Sequence, residues 1–201
     1  MSSTRSDNTD GRTDGRLQRS ERSRQKILNA IVSLVEEGNL SPTAELVSRR
    51  AGVGLRTVFR HFDDMEALIA EMDLKVSEAN AHLFDGVDRT GSLVERIRAA
   101  AEQRDRAFEE VKYVILSSQV HMWQSKTLRK NWAHKRRELR RDLENWLPEV
   151  KKLSVPRQAA AEAALCFETW YQLRYDQRLT RKKVVTSMNE MLCLLFGVDT
   201  G

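Results

Sequence analysis

The chain has 201 residues, with 34 Lys and Arg against 29 Asp and Glu, a formal net charge of +5. This length suits one domain of ordinary size, or a small module joined to a larger one. Because 40% of the residues are hydrophobic, the chain can bury a core and is not wholly disordered. Nine Gly and three Pro are too few for the many turns of a β-sandwich or barrel. The composition therefore predicts an all-α protein.

Several classes of site and of location are not supported by the sequence. Two cysteines, Cys166 and Cys193, are too few for a disulfide framework or a Cys-based zinc site, and we expect both to be inert core thiols. His82, His121 and His134 lie far apart, so no metal site is predicted. The chain shows no glycine-rich phosphate loop and no nucleophile beside a base. We therefore expect no enzymatic activity and no cofactor.

Apolar runs stay shorter than the roughly 18 residues that a membrane span needs, so no contact with a membrane is predicted. The polar first residues also lack the apolar centre of a secretory signal. We therefore expect a cytoplasmic protein.

Residues 1–19 are polar and have almost nothing apolar to bury, so they are expected to form a flexible tail. Either the arginines of this tail reach a DNA minor groove, as the arms of homeodomains do, or they are solvated and balanced by neighbouring aspartates. These arginines are Arg5, Arg12, Arg16 and Arg19.

Helical periodicity begins at Ser20 and continues to Gly38. Two short helices are predicted next, the first capped by Thr43 and the second over residues 55–61. Asp63 with Glu66 forms a capping box that begins a fourth helix.

Five longer helices are predicted beyond Gly91, which brings the total to about nine. A capping box of Ser92 and Glu95 begins this series, with a break expected near Glu109. Ser125 is expected to cap a helix that Pro148 ends. The last two helices are predicted over residues 156–177 and 181–196. The predicted organisation is a tail (1–19), a small helical domain (20–65) and a larger helical bundle (66–201).

The two short helices around the turn at residues 52–54 predict a helix-turn-helix, whose second helix can lie in the major groove of DNA. Gly52 lies where a positive φ angle is accessible at low cost only to glycine. Residues 16–62 contain nine basic and four acidic residues, an excess that equals the net charge of the whole chain. Positive charge concentrated in one segment is typical of a module that faces phosphates.

The segment AGVGLRTVFRHF at residues 51–62, with ILNA at 27–30 and EAL at 66–68, resembles the DNA-binding domain of TetR-family transcriptional regulators. The resemblance covers roughly residues 22–70 and implies a three-helix DNA-binding domain followed by a larger regulatory bundle. It assigns Thr43 to a backbone phosphate, and Thr57 and His61 to phosphate contacts or to bracing the second helix.

The resemblance also places Leu55, Arg56 and Phe59 near the base edges. Arg56 is the best candidate to recognise a base, because a guanidinium can bond O6 and N7 of guanine together; a phosphate contact is the alternative. Leu55 can touch a thymine methyl. Arg49 and Arg60 are expected to supply further phosphate contacts.

Three positions depart from the pattern of the family. Phe59 replaces the usual Tyr and lacks its hydroxyl, and Met65 replaces the usual Lys at the start of the fourth helix. Gly54 replaces the usual Ser cap, which costs only a few tenths of a kcal/mol. These changes weaken the standard set of phosphate contacts, for which Arg49, Arg60 or the arginines of the tail can compensate.

The resemblance implies that the bundle binds a small-molecule effector and dimerises through its last two helices. All four tryptophans lie in this bundle, and its aromatic residues either line a pocket for an apolar or aromatic effector or fill the core. The candidate effector residues are Phe84, Phe108, Trp123, Trp132, Phe167, Trp170 and Tyr171. The candidate interface residues, which an internal core would also explain, are Val184, Met188, Met191, Leu192 and Leu195.

A basic cluster lies in the helix predicted before Pro148. It is either a solvated face or a site for an acidic ligand or a protein partner. Its members are Arg129, Lys130, Lys135, Arg136, Arg137, Arg140 and Arg141.

Together these features predict a homodimeric regulator that binds a palindromic operator on double-stranded DNA. A repressor is expected, released when a small molecule binds the bundle. The alternative is an architectural DNA-binding protein that senses no ligand.

Overall fold

The computed structural model of the protein describes residues 10–84 and 89–199, with side chains described from Gly15 onward. Across these residues the chain forms nine α-helices and no strand, which confirms the all-α prediction. The helices are α1 (Asp10–Glu36), α2 (Ala44–Ala51), α3 (Leu55–His61), α4 (Met65–Ala79), α5 (Leu93–Met122), α6 (Lys126–Trp146), α7 (Val155–Ala164), α8 (Phe167–Tyr171) and α9 (Arg181–Phe196). Over the described ranges, none is both long and apolar enough to cross a membrane.

The chain divides into two compact units, the first formed by the described parts of residues 1–76 and 113–128 and the second by those of 77–112 and 129–201. The first unit extends beyond the predicted boundary at residue 65. Side-chain hydrogen bonds explain the extension. Lys75 of α4 donates to Asn29 of α1 at 2.7 Å, and Ser118 of α5 donates to the buried Asp73 at 2.8 Å.

Most predicted helix starts are confirmed by capping hydrogen bonds. The hydroxyl oxygens of Thr43, Ser125 and Thr180 accept from the backbone N–H three residues later, at 3.3, 3.0 and 3.4 Å. The Glu95 carboxylate accepts from the N–H of Ser92 at 2.8 Å, while the N–H of Glu95 donates to the Ser92 hydroxyl at 3.3 Å. These local contacts satisfy N–H groups that have no partner inside the helix.

Helix α1 begins at Asp10, so the part of the predicted flexible tail after residue 9 is helical. Contacts between successive turns accompany the extension: Arg19 Nε donates to the carbonyl of Gly15 at 2.9 Å. Arg16 and Arg19 are exposed on this helix. Arg5 lies outside the described residues, and the side chain of Arg12 is not described.

Three other boundaries differ from the prediction. Asp64 rather than Asp63 caps α4, since its carboxylate accepts from the N–H of Ala67 at 2.8 Å. Helix α5 continues through Glu109, whose carboxylate accepts from Lys112 of the next turn at 2.7 Å. The predicted helix over 156–177 is interrupted at Cys166, whose sulfur accepts from the N–H of Thr169 at 3.4 Å and caps α8.

Candidate DNA-binding and effector sites

The turn between α2 and α3 is closed by backbone hydrogen bonds. Gly52 ends α2 in the left-handed conformation, at φ 65° and ψ 36°, as its place in the turn predicts. The N–H of Val53, which is half-buried, donates to the carbonyl of Ser48 at 3.0 Å. Both α2 and α3 pack on α1, and Val58 fixes α3 by its fully buried side chain. The side of α3 opposite Val58 faces away from this core.

The outer face of α3 presents alternating apolar and basic side chains. Leu55 and Phe59 lie one turn apart and are 38% and 47% exposed, so two large apolar side chains are accessible side by side on this face. Arg56 and Arg60 are exposed one turn apart as well. Neither arginine forms an ion pair within the part of the chain that the structure describes. Such a face can offer guanidinium groups to bases and phosphates, and apolar contacts to thymine methyls.

Thr43, Thr57 and His61 lie around this face. Thr43 is exposed, so its hydroxyl can accept the cap bond and still donate to a phosphate. Thr57 is half-buried. The pKa of His61 is lowered, mainly by burial and then by the charges of Arg60 and Arg24. At neutral pH His61 is therefore uncharged and can donate a single hydrogen bond.

Two arginines of the basic segment have structural partners instead. Arg50 forms a bidentate pair with Glu37 of α1, at 2.7 Å for both bonds, and this lowers the pKa of Glu37. Arg24 pairs with Glu71 of α4, and its guanidinium lies 5.1 Å from the ring centre of Phe62. Arg49 is exposed and, over the described ranges, has no ion pair. Counting charges along the sequence does not separate these two groups.

The family model for bacterial regulatory proteins of the tetR family matches residues 27–72, which span this helix-turn-helix and the helices that hold it. Residues 27–72 therefore form a domain of the kind found in tetR-family bacterial regulatory proteins. The match supports DNA binding by this domain. A search of curated proteins found no match.

Solved structures of similar fold span most of the chain. A transcriptional regulator from Rhodococcus sp. Rha1 is 17% identical, with a TM-score of 0.64 over 89% of this chain and 96% of that one. A TetR-family transcriptional regulator from Mesorhizobium loti is 14% identical, with a TM-score of 0.57 over 89% and 97%. A fatty acid metabolism regulator from Clostridium perfringens is 16% identical, with a TM-score of 0.56 over 87% and 98%. Identities this low establish a common fold and not a common ligand.

Three of the predicted effector residues form an aromatic cluster inside the core of the second unit. Phe108, Phe167 and Trp170 are fully buried, with ring centres 5.6–5.7 Å apart. Trp170 Nε1 also donates to the buried carboxylate of Asp105 at 2.9 Å. These three rings pack against one another and fill the core, which was the alternative to lining an effector pocket.

Of the other four predicted effector residues, Tyr171 adjoins this cluster, with its ring centre 5.7 Å from that of Phe167, and three lie elsewhere. Trp123 belongs to the first unit and is 82% exposed. The ring of Trp132 lies 5.8 Å from the guanidinium of Arg136, and that of Phe84 lies 5.3 Å from Arg104. Tyr171 stacks on Tyr175, with ring centres 4.9 Å apart. The structure thus does not gather the seven aromatic residues around one pocket.

Two described cavities of the second unit are lined by other residues. One, of about 660 Å³, lies between α5 and α9 and has charged walls that include Glu102 and the ion pair of Asp105 with Arg181 at 2.8 Å. The other, of about 240 Å³, lies between α5, α6 and α7 around Arg104. None of the seven predicted aromatic residues lines either cavity. Sequence reasoning missed Arg104, because a single arginine in a helix rich in charges gives no sign that it is buried.

The predicted interface stripe of α9 is divided between two environments. Val184, Met188 and Leu192 are fully buried within the protomer and form part of its core. Met191 and Leu195 are half-buried. A helix face that packs on its own protomer has the same apolar spacing as one that packs on a partner, which is why the pattern did not separate them.

Proposed function

We propose that this regulator is a dimeric repressor that binds a palindromic operator and is released when a small molecule binds its second unit. The observation that carries the proposal is the outer face of α3, where Arg56 and Arg60 are exposed beside the apolar side chains of Leu55 and Phe59. Exposed arginines without a carboxylate partner are suited to phosphates and to guanine. Arg49 and Thr43 at the ends of α2 extend this surface.

Dimerisation gives such a protein its specificity. One helix in one groove contacts only a few base pairs, whereas a two-fold dimer contacts two half-sites of a palindrome. The surface of α9 offers an apolar contact in Leu194, which is 79% exposed, with Met191 and Leu195 half-buried on the same helix. Equilibrium sedimentation measures the assembly, and a protein that stays monomeric at operator-binding concentrations contradicts the dimer.

Direct binding to DNA tests the function. We expect the wild-type protein to shift a palindromic fragment of its own upstream DNA, with affinity that falls steeply as salt increases. Arg56→Ala should cost about 1–3 kcal/mol at one base-pair position and relax specificity there. Arg157→Ala, which removes an exposed arginine of α7, serves as the control for charge.

The outcome for Arg56 distinguishes its two roles. An equal loss of affinity on every sequence makes Arg56 a phosphate contact, and the absence of salt-sensitive, palindrome-specific binding contradicts the proposal as a whole. The architectural alternative requires a protein whose affinity for DNA no small molecule changes. The two cavities of the second unit favour the ligand-responsive function, because they offer space for an effector.

A further inference from the structure

Arg104 is a fully buried cation in the core of the second unit. It lies on α5, is 1% exposed, and donates through Nη2 to the carbonyl of Leu139 at 2.9 Å. The same nitrogen lies 2.9 Å from the carboxylate of Asp142, which also accepts from Arg89 at 2.7 Å. Asp142 therefore serves two guanidinium groups at once.

This arrangement leaves the charge of Arg104 incompletely compensated. Burial lowers the pKa of Arg104 to about 10, Asp142 opposes that shift, and Arg89 adds to it. The group stays protonated at neutral pH. Its second nitrogen, Nη1, is buried and has no hydrogen-bond partner among the described residues. An unsatisfied N–H of a buried cation is costly, because the acceptor that water would provide is missing.

The 240 Å³ cavity adjoins this arginine. Its walls carry Arg104, Arg136 and Arg140. Arg140 is paired with Glu162 at 2.6 Å and Arg136 with Glu168 at 3.0 Å, so Arg104 is the wall arginine with an unsatisfied buried nitrogen. The rest of its lining is largely aliphatic, from the leucines of α6 and the alanines of α7. Its volume is slightly below the roughly 300–1,000 Å³ of ordinary ligand pockets, which restricts it to a small occupant.

We propose that this cavity binds a small carboxylate with an aliphatic body, whose carboxylate oxygen accepts from Nη1 of Arg104. A carboxylate matches the guanidinium in shape and charge, while the leucine and alanine side chains receive the aliphatic part. The inference rests on the proposed function in one respect, because it names the chemical class of the effector. It replaces the aromatic lining predicted from the sequence by a site built on one buried cation.

Binding to the full-length protein tests the site without DNA. Isothermal titration with straight-chain carboxylates from butanoate to decanoate should give saturable binding of at least one member. The matched amide of that member should bind at least about tenfold more weakly, because a hydrogen bond to a charged group is worth more than a neutral one. Inorganic phosphate, which lacks an aliphatic body, should not compete.

Cys166 reports whether the ligand occupies this cavity. It is one of the lining residues and is half-buried, whereas Cys193 is fully buried and serves as the internal control. At a ligand concentration about ten times its Kd, alkylation of Cys166 should slow roughly tenfold by mass action. Ala159→Phe, which places a ring at the cavity wall, should weaken binding, while Ala133→Phe on the exposed surface of α6 should not.

The outcomes separate this inference from the proposed function. If no carboxylate binds, if the amide binds equally well, or if Ala159→Phe binds like wild type, the inference is wrong even where the protein still shifts its operator. If a carboxylate binds as described and the affinity for the operator does not change, the binding site is supported. The proposal that this ligand releases the protein from the operator is then wrong. Binding accompanied by loss of the operator complex supports both.

Discussion

The arginines of α3 and the arginines of the second unit differ in what surrounds them. Arg56 and Arg60 are exposed and, in the described part of the chain, form no ion pair. In the second unit, Arg140 lies against Glu162, and the buried Arg104 shares Asp142 with a second arginine. The two groups carry the same charge in the sequence and have different uses in the structure.

The difference shows that the partner of a charge, and not its density along the chain, indicates its role. An exposed arginine without a carboxylate keeps its full hydrogen-bonding capacity for an external anion such as phosphate. An exposed pair such as Arg140 with Glu162 contributes about 0–1 kcal/mol, and its positive charge is already balanced by the glutamate. The buried Arg104 is held in place by its ion pair with Asp142 and still has one nitrogen, Nη1, available to an external acceptor.

The largest effect, on the free energy of unfolding, is expected for the buried Arg104. Arg104→Met should lower the free energy of unfolding by about 3 kcal/mol or more, because it breaks a buried ion pair and removes one of the guanidinium groups that face Asp142. Urea denaturation of the variant and of Arg137→Met, at an exposed position of α6, measures the difference. Equal stability of the two variants would falsify the structural role of the Arg104 pair.

A smaller effect is expected for the exposed arginines, and it concerns DNA rather than stability. Arg60→Ala should reduce the slope of log affinity against log salt by about one, because one phosphate contact is lost. Arg137→Ala should leave that slope unchanged. Titration of the operator at several salt concentrations checks both variants, and equal slopes would place Arg60 outside the interface.

The smallest effect is expected for the pH dependence of stability due to His61. This side chain is half-buried, whereas Arg56 and Arg60 are exposed and Arg104 is fully buried. Its pKa is lowered in the folded protein, so the unfolded chain takes up the proton more readily. Stability due to His61 is therefore intact above its ordinary pKa of about 6.5 and is lost as the pH falls below that value. His61→Gln should flatten this decline.

Unfolding free energies of wild type and His61→Gln, measured between about pH 5 and 8, provide the check. The other histidines are present in both proteins, so their contributions cancel. Identical profiles would mean that the environment of His61 does not disfavour its charged form.

Much of the fold, including the helix-turn-helix, was predictable from local patterns. The hydroxyl caps at Thr43, Ser125 and Thr180 act within one helical turn, so their effect does not depend on the rest of the fold. The positive φ of Gly52 is likewise a local demand of a tight turn. These positions fix where the helices of the helix-turn-helix begin and end, which explains why the motif was recognisable before the structure.

The boundaries that differed depend on contacts over longer distances. The hydrogen bond from Ser118 to Asp73 links α4 to α5 within the first unit. The two residues lie far apart in the sequence, and nothing near Asp73 indicates the contact. The interruption at Cys166 escaped the prediction because an apolar stretch without Gly or Pro resembles one continuous helix. A cysteine is also an uncommon cap.

The sequence by itself determined an all-α chain and a helix-turn-helix with an exposed basic helix, because helical periodicity, caps and turns are local properties. Only the tertiary structure decided which charged and aromatic residues are available to a ligand. It placed Phe108, Phe167 and Trp170 in the core and left Arg104 beside a cavity. Burial and pairing depend on neighbours that are distant in sequence, and the residue types alone do not encode them.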